Sequence, residues 1–390
     1  MYCFYHLISP CYWCKRAVQI YGFKKSGRYE LDLDAIKTIF GRPDIAQLLI
    51  AVYCIAGKLR SGKSFILGLL LKFLMYGEES ENWIDVEIEN NFNYSNSGNR
   101  VTIGIWIWSE PIIRKNVKGE DVAVFLMDTQ GWHDDQTSLK DSSLIFGMSA
   151  LLSSVVMFNV DKNVGEDDLY FLQSFSSTAK YVGHENDEPF QNLMFLIRNW
   201  QMTHEETGFQ LGFHGNVNPF TQSHRDFIQN MFDPTGKSEE ARQYRELVCR
   251  FYERIIAFLL PYPGNVINYD RFDSSRMDGE FRNHLKNLCE FLFDKNRITV
   301  KSFNGRNLRC IDLIRYSREW AEDFQDGPKM SLVPVKDESM YLVAYQTALD
   351  TFDETLKNKI GLYELDALKV LLQQLRFVIP LKNCLLILIY

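Results

Sequence analysis

Two glycines, a lysine and a serine at fixed spacing carry the first chemistry in this chain. Gly57-Lys58-Leu59-Arg60-Ser61-Gly62-Lys63-Ser64 reads G-x-x-x-x-G-K-S, a pattern that wraps phosphate groups. Gly57 and Gly62 let backbone N–H groups approach the negative oxygens, and the helix that follows adds its N-terminal dipole. Lys63 is then placed for β- and γ-phosphate oxygens and Ser64 for Mg²⁺. Arg60 lies inside the loop, where a guanidinium can neutralise charge that develops in a phosphoryl-transfer transition state, an arginine finger supplied in cis. Asp128-Thr129-Gln130-Gly131 adds an acid suited to a second Mg²⁺ contact and, in Gly131, a backbone N–H for the γ-phosphate. Thr102 ends a long polar stretch and reaches Mg²⁺ with its hydroxyl only when that stretch closes. Residues 77–102 are therefore a candidate switch, ordered by a γ-phosphate and released after its loss.

These residues need strands and helices to hold them. Leu48 to Ile55 (LLIAVYCI) is an apolar run of strand length, and Ser64 to Tyr76 (SFILGLLLKFLMY) has the length of a buried helix. Strand, glycine loop and helix is the context that the pattern requires. Val122 to Met127 predicts another buried strand, ending at Asp128. Strands over Val155–Val160, Leu193–Ile197 and Ala257–Leu260 alternate with helices over Ser143–Ser154, Glu166–Tyr181 and Ser238–Ile255. The first strand falls within Gln19–Leu33, with a turn at Ser26-Gly27, and Asp34–Phe40 forms a short helix. Thr102–Trp108 reads as a strand and 201–222 as a Gly/Asn-rich loop. This alternation predicts an α/β domain with a mostly parallel sheet and helices on both faces. Ligands then sit beyond the strand ends.

From Asp278 onward the pattern is helical only, over Asp278–Phe293 and Asn304–Phe324. Asp326-Gly327-Pro328 through Pro334 reads as a linker. Beyond it Leu342, Tyr345, Leu349, Phe352 and Leu356 recur at heptad-like steps, the stripe of a helix packing on its own domain or of an arm docking on a partner. The expected organisation is an unassigned segment 1–17, a domain over 18–325, a linker over 326–335, a partial helical domain over 336–376 and an apolar tail over 377–390.

Composition narrows the function. The 390 residues are 46% hydrophobic, enough for a large core, and the net charge is -7, which gives no basic field for nucleic acid. Eight cysteines are scattered, and Cys11-x-x-Cys14 has no second pair with which to complete a zinc site. Cys54, inside an apolar strand, reads as a buried thiol. No run reaches the length of a membrane span, and the N-terminal residues do not follow the order of a signal peptide.

GKLRSGKSF (57–65), TIGIWIWSE (102–110), LMDTQG (126–131), LIRNW (196–200) and FLLPYPG (258–264) together resemble the atlastins, GTPases of the dynamin superfamily, and more distantly the guanylate-binding proteins. The order and spacing match from Val18 to Lys359. The resemblance implies a P-loop GTPase domain followed by a helical middle domain, with GTP and GDP as ligands and Mg²⁺ as cofactor. It implies nucleotide-dependent dimerisation, as a homodimer or with full-length relatives, and tethering and fusion at the cytoplasmic face of the endoplasmic reticulum. Carried over residue by residue, Arg60 and Thr102 are catalytic. Gly57, Lys58, Arg60, Ser61, Gly62, Lys63, Ser64, Phe65 and Gly131 surround the phosphates, and Ser64, Thr102 and Asp128 hold the metal. Arg198 and Asn199 sit at the base-reading pair, and Arg100 faces a partner. Two alternatives are a nucleotide-binding dimerisation module that does not fuse membranes, cytosolic if the chain is complete, and a GTPase of the guanylate-binding-protein type.

One position departs from the resemblance. The family pair is Arg-Asp and here it is Arg198-Asn199. A carboxylate accepts from both guanine N1–H and its exocyclic amine, whereas an asparagine alone offers one acceptor and one donor. On that reading XTP or ITP competes with GTP, and Asn199→Asp restores guanine selectivity.

Overall fold

The computed structural model describes residues 15–326, except 78, 89–90, 93–101, 133–136, 184–189, 201–208, 213–230, 234, 269–270 and 304. They lie in the first of the two units into which the chain divides, Met1–Lys329 and Met330–Tyr390. The Cys11/Cys14 pair, Arg100, the heptad-like stripe, the partial helical domain and the apolar tail fall outside the described residues.

Five parallel strands form the centre of the sheet: β6 (Asp121–Thr129), β3 (Leu49–Gly57), β7 (Val155–Asp161), β8 (Phe190–Trp200) and β10 (Tyr252–Pro261), side by side in that order. Antiparallel strands flank them. On one side β4 (Ile105–Trp108) pairs with β6, then β1 (Ala17–Phe23) and β2 (Tyr29–Leu31) follow; on the other, β9 (Phe209–Gly212) pairs with β10. β5 (Ile112–Lys115) pairs with the start of β6.

The strands are apolar on both faces because both are covered. Along β3, Ile50, Val52, Cys54 and Ala56 enter one core and Ala51, Tyr53 and Ile55 the other. The first core lies under α1 (Leu33–Phe40), α3 (Leu139–Leu152), α4 (Glu166–Gly183), α5 (Glu239–Phe251) and α7 (Cys310–Asp326). The second lies under α2 (Lys63–Tyr76) and α6 (Gly279–Phe293). Cys54 is fully buried, as its apolar strand implied, and burial pushes its thiol up to about 12.

Local signals start several helices. Asp32, Ser138, Ser238 and Asp278 each accept a backbone N–H of the first turn of α1, α3, α5 and α6, a contact worth about 1 kcal/mol each. The helix α2 differs. Its N-cap is Gly62, left-handed at φ 76°, with no side-chain cap, so its first N–H groups remain available to an anion.

Four expectations change. The helix expected over Ser238–Ile255 stops at Phe251, because Tyr252–Ile255 join the parallel ladder with β8 and strand pairing overrides helical periodicity. The helix expected from Asn304 starts at Cys310, after a hairpin of two short strands, Ser302–Phe303 and Arg306–Asn307, so the chain after Asp278 is not helical only. The loop 201–222 contains β9. The stretch 77–102 is not only a polar loop: Trp83, Ile84 and Phe92 are buried, Trp83 packs edge-on against Phe73, and Lys72 Nζ donates to the Ile84 carbonyl at 2.8 Å.

Candidate functional site

Strand register decides what meets at the C-terminal ends of the parallel strands. Ile55 pairs with Asp128, and Gly57 pairs with Asn159, so the loop leaving β3 emerges between the ends of β6 and β7. β4 runs antiparallel to β6, with Ile105 opposite Thr129. The residues entering β4 therefore arrive at the same edge, and Thr102 lands beside Asp128.

Three oxygens converge there. Ser64 Oγ donates to Asp128 Oδ2 at 2.5 Å, Thr102 Oγ1 donates to the same oxygen at 3.1 Å, and the two hydroxyls approach to 3.3 Å. Asp128 is 2% exposed, and its other oxygen, Oδ1, is buried without a hydrogen-bond partner. Burial raises the Asp128 carboxyl above its ordinary range, opposed by Lys63, Ser64 and Thr102. One carboxylate and two hydroxyls form a hard, oxygen-only donor set, and an orphaned carboxylate oxygen is what a divalent cation would satisfy. The residues fit Mg²⁺, which keeps much of its water shell and takes few protein ligands. Among the described residues no cluster of three His, Cys, Asp or Glu offers another metal site.

Lys63 is buried beside Asp128, and desolvation pushes its ammonium down to about 8. Its Nζ donates to the Lys58 carbonyl at 2.9 Å, which holds it within the loop. Gly131 closes over it. A Cβ at Gly131 would stand 2.5 Å from Leu59 Cα and 2.9 Å from Lys63 Nζ, so only glycine allows this approach. Leu59 N–H donates to the Trp132 carbonyl at 2.9 Å, tying the phosphate loop to the Asp128–Gly131 segment.

Gln130 ties that segment to Thr102. Its Oε1 accepts from Gly104 N–H at 2.8 Å and from the Tyr29 hydroxyl at 3.1 Å, and its Nε2 donates to Thr137 Oγ1 at 2.7 Å. The sequence pattern shows Gln130 without showing this function, because its partners lie on distant segments.

Not every expected side chain faces the phosphate position. Lys58 Nζ pairs with the buried Asp168 carboxylate at the start of α4, 2.7 Å away, so Lys58 offers the loop its carbonyl, which accepts from both Lys63 Nζ and Ser61 Oγ. The Phe65 ring is buried against Phe272, which leaves its backbone alone near the helix N-terminus. Arg60 is exposed in the loop with a left-handed backbone, φ 59°.

The next strands bring Arg198 and Asn199 to the same edge. Arg198 is buried, its Nη1 donating to the Gly62 carbonyl at 3.4 Å and its Nε left without a partner; burial pushes it down to about 10. Asn159, one strand over, donates from Nδ2 to the Ser61 carbonyl at 2.9 Å. Asn199 donates from Nδ2 to Asp161 Oδ1 at 2.7 Å. Neither Asn159 nor Asp161 stands in a recognisable motif, and only the pairing of β7 with β8 and β3 reveals them.

Similarity to known proteins covers most of the chain. Residues 26–301 match the family model for the guanylate-binding protein, N-terminal domain. The chain is 32% identical to Atlastin-1 of Mus musculus over 355 residues, covering 88% of this chain and 61% of that protein. It is 32% identical to Atlastin-2 of Homo sapiens over 343 residues (85% and 57%) and 33% identical to Atlastin-2 of Xenopus laevis over 343 (85% and 58%). The chain thus spans less than two thirds of the length of these relatives. No helix among the described residues is long and apolar enough to cross a membrane.

Proposed function

The chain belongs to the guanylate-binding-protein N-terminal-domain family, and from that premise we propose that it binds GTP and hydrolyses it to GDP and phosphate with Mg²⁺. The convergence of Ser64, Thr102 and Asp128 beside Lys63, with Asp128 Oδ1 unpartnered, carries the proposal. Lys63 and the N–H groups of the loop and of α2 bind the phosphates. Ser64, Thr102 and Asp128 would hold Mg²⁺, which would supply neutralising charge at the phosphate oxygens. Gly131 offers its N–H to the γ-phosphate. Arg60, exposed and within one turn of chain of Lys63, swings over the phosphates and stabilises transition-state charge. Arg198, fixed to the loop through Gly62, supports the base end with Asn199.

Thr102 couples this chemistry to conformation. Its segment is clamped to the Asp128–Gly131 segment through Gln130, so a γ-phosphate that pulls on Thr102 is felt across both. We propose that this coupling drives nucleotide-dependent dimerisation. The similarity to atlastins supports a membrane-tethering and fusion role at the cytoplasmic face of the endoplasmic reticulum. The domain boundaries at 18–325, 326–335 and 336–376 remain part of the same proposal.

Phosphate release with GTP, with and without Mg²⁺, tests the enzyme reading; no release above the Lys63→Ala background would defeat it. Light scattering of the empty, GDP-bound and transition-state-mimic-bound protein tests dimerisation, with a dimer expected only in the last. Lipid mixing between labelled vesicles separates a fusogen from a nucleotide-binding module that dimerises without fusing.

A further inference from the structure

Guanine presents two adjacent donors on its edge, N1–H and the exocyclic amine. A site that selects it needs two acceptors side by side. Asn199 alone supplies one acceptor and one donor, a poor match. The structure shows where the donor goes: Asn199 Nδ2 donates to Asp161 Oδ1 at 2.7 Å. Among the described residues neither Asn199 Oδ1 nor the second oxygen of Asp161 has a hydrogen-bond partner, which leaves both for a ligand. The pair offers two acceptors and carries one negative charge.

Its placement suits a base. Asp161 is the last residue of β7, two residues beyond Asn159, which pairs with Gly57 at the root of the phosphate loop. Its register partner is Arg198 on β8, which reaches the loop through the Gly62 carbonyl. The next residue on each strand, Lys162 and Asn199, is left-handed, at φ 62° and 56°, and Lys162 N–H donates to the Arg198 carbonyl at 2.7 Å. Among the described residues the non-glycine positions with positive φ are these two and Arg60. Such backbone is sparsely populated by residues other than glycine and clusters at functional sites. Here it clamps the two strand ends so that Asp161 and Asn199 are held together. Asp161 itself is exposed, so a ligand can reach it.

Resting on the proposal of a GTP site above, we propose that Asp161 is the carboxylate that reads the guanine edge, with Asn199 as its positioning residue and second acceptor. This changes the expected ligand order from that of an isolated asparagine. XTP would set its C2 carbonyl against a carboxylate and be rejected, whereas GTP donates to both acceptors. ITP keeps N1–H, lacks the amine and falls between them.

The test is competition of GTP, XTP, ITP and ATP against a fluorescent guanine nucleotide, with thermal melts alongside. The parent should prefer GTP to XTP by at least about tenfold, the factor that one charge-assisted hydrogen bond carries. Asp161→Asn, which puts a donor where an acceptor stood, should lower that ratio by at least about tenfold. Asn199→Asp should lower GTP affinity, since it sets two carboxylates against each other. Asn199→Ala should still disfavour XTP, because the carboxylate remains. A parent that takes XTP as well as GTP would overturn the assignment. So would an unchanged ratio in Asp161→Asn, or an Asn199→Ala protein indifferent between the two. A parent that binds none of the four nucleotides defeats the GTP-site proposal itself, a separate outcome.

Discussion

The two edges of the parallel sheet treat buried polar groups in opposite ways. At the N-terminal edge, residues 299–303 and 305–310 run across the starts of β3, β7 and β8 and pair with what they cover. Lys301 Nζ donates to the Ser153 carbonyl at 2.7 Å. Gln191 donates to the Val300 carbonyl at 2.9 Å and accepts from Ser302 N–H at 2.8 Å. Asn192 donates to Thr299 Oγ1 at 3.1 Å. At the C-terminal edge, Asp128 Oδ1, Asn159 Oδ1 and Arg198 Nε are buried without partners. An unsatisfied buried group costs about 1–3 kcal/mol. Internal pairing makes the first edge a seal, and the unpaired groups at the second stay available to a ligand.

Two buried lysines, one at each edge, make the contrast concrete. Burial lowers both, Lys63 to about 8 and Lys301 to about 7. Lys301 is held between the Ser153 carbonyl and the Trp320 ring, 6.0 Å from its centroid. Lys63 is held by a carbonyl of its own loop. Substitutions at the ligand edge should therefore change function with little change in stability, and substitutions at the sealed edge the reverse.

Arg60→Ala should give the largest effect, a loss of hydrolysis of about 10³-fold with nucleotide affinity largely kept. Single-turnover hydrolysis beside a binding titration measures it. Turnover at the parent rate would remove Arg60 from the mechanism. Lys63→Ala should follow, weakening nucleotide binding by about 10²-fold through loss of charge-assisted phosphate contacts. Its melting temperature should stay close to the parent's, since the desolvation relieved at Lys63 is offset by the countercharge that buried Asp128 loses. A variant that melts early while still binding nucleotide would break the contrast.

At the sealed edge the readout is stability against pH. Lys301 has a folded-state pKa near 7, below its ordinary 10.5, so between these values the unfolded chain binds more protons than the folded one. Stability contributed by this group therefore rises with pH above about 7, by up to about 1.4 kcal/mol per pH unit. Lys301→Met should remove that slope, as chemical denaturation from pH 7 to 9 can show. Equal slopes in both proteins would mean that Lys301 is not desolvated as its burial implies. The smallest effect is expected at Ser154, whose Oγ accepts from Val52 N–H at 2.9 Å and donates to the Val52 carbonyl at 3.1 Å. Ser154→Ala should cost about 1–2 kcal/mol of stability and leave hydrolysis unchanged. A loss of activity without a loss of stability would show the two edges to be coupled.

The sequence by itself determined the features whose geometry is local. Gly57 to Ser64, the apolar run before it and the helix after it are readable because a phosphate loop needs particular residues at fixed separations along the backbone. Asp128-Thr129-Gln130-Gly131 is readable for the same reason, and so are the helix starts at Ser238 and Asp278, whose side chains bond only to the next few residues. Tertiary structure alone decided the rest. The end of α5 and the hairpin before α7 depend on which strands the chain meets, and that competition overrides helical periodicity. Thr102 meets Asp128 across 26 residues, a meeting that their shared Mg²⁺ role already implied, whereas Asn199 meets Asp161 across 38 with no sign in the sequence. Both contacts follow from strand order and register, which fix which side chains share an edge of the sheet. Strand order and register arise from packing two apolar faces under two layers of helices, and no short window of sequence records the outcome.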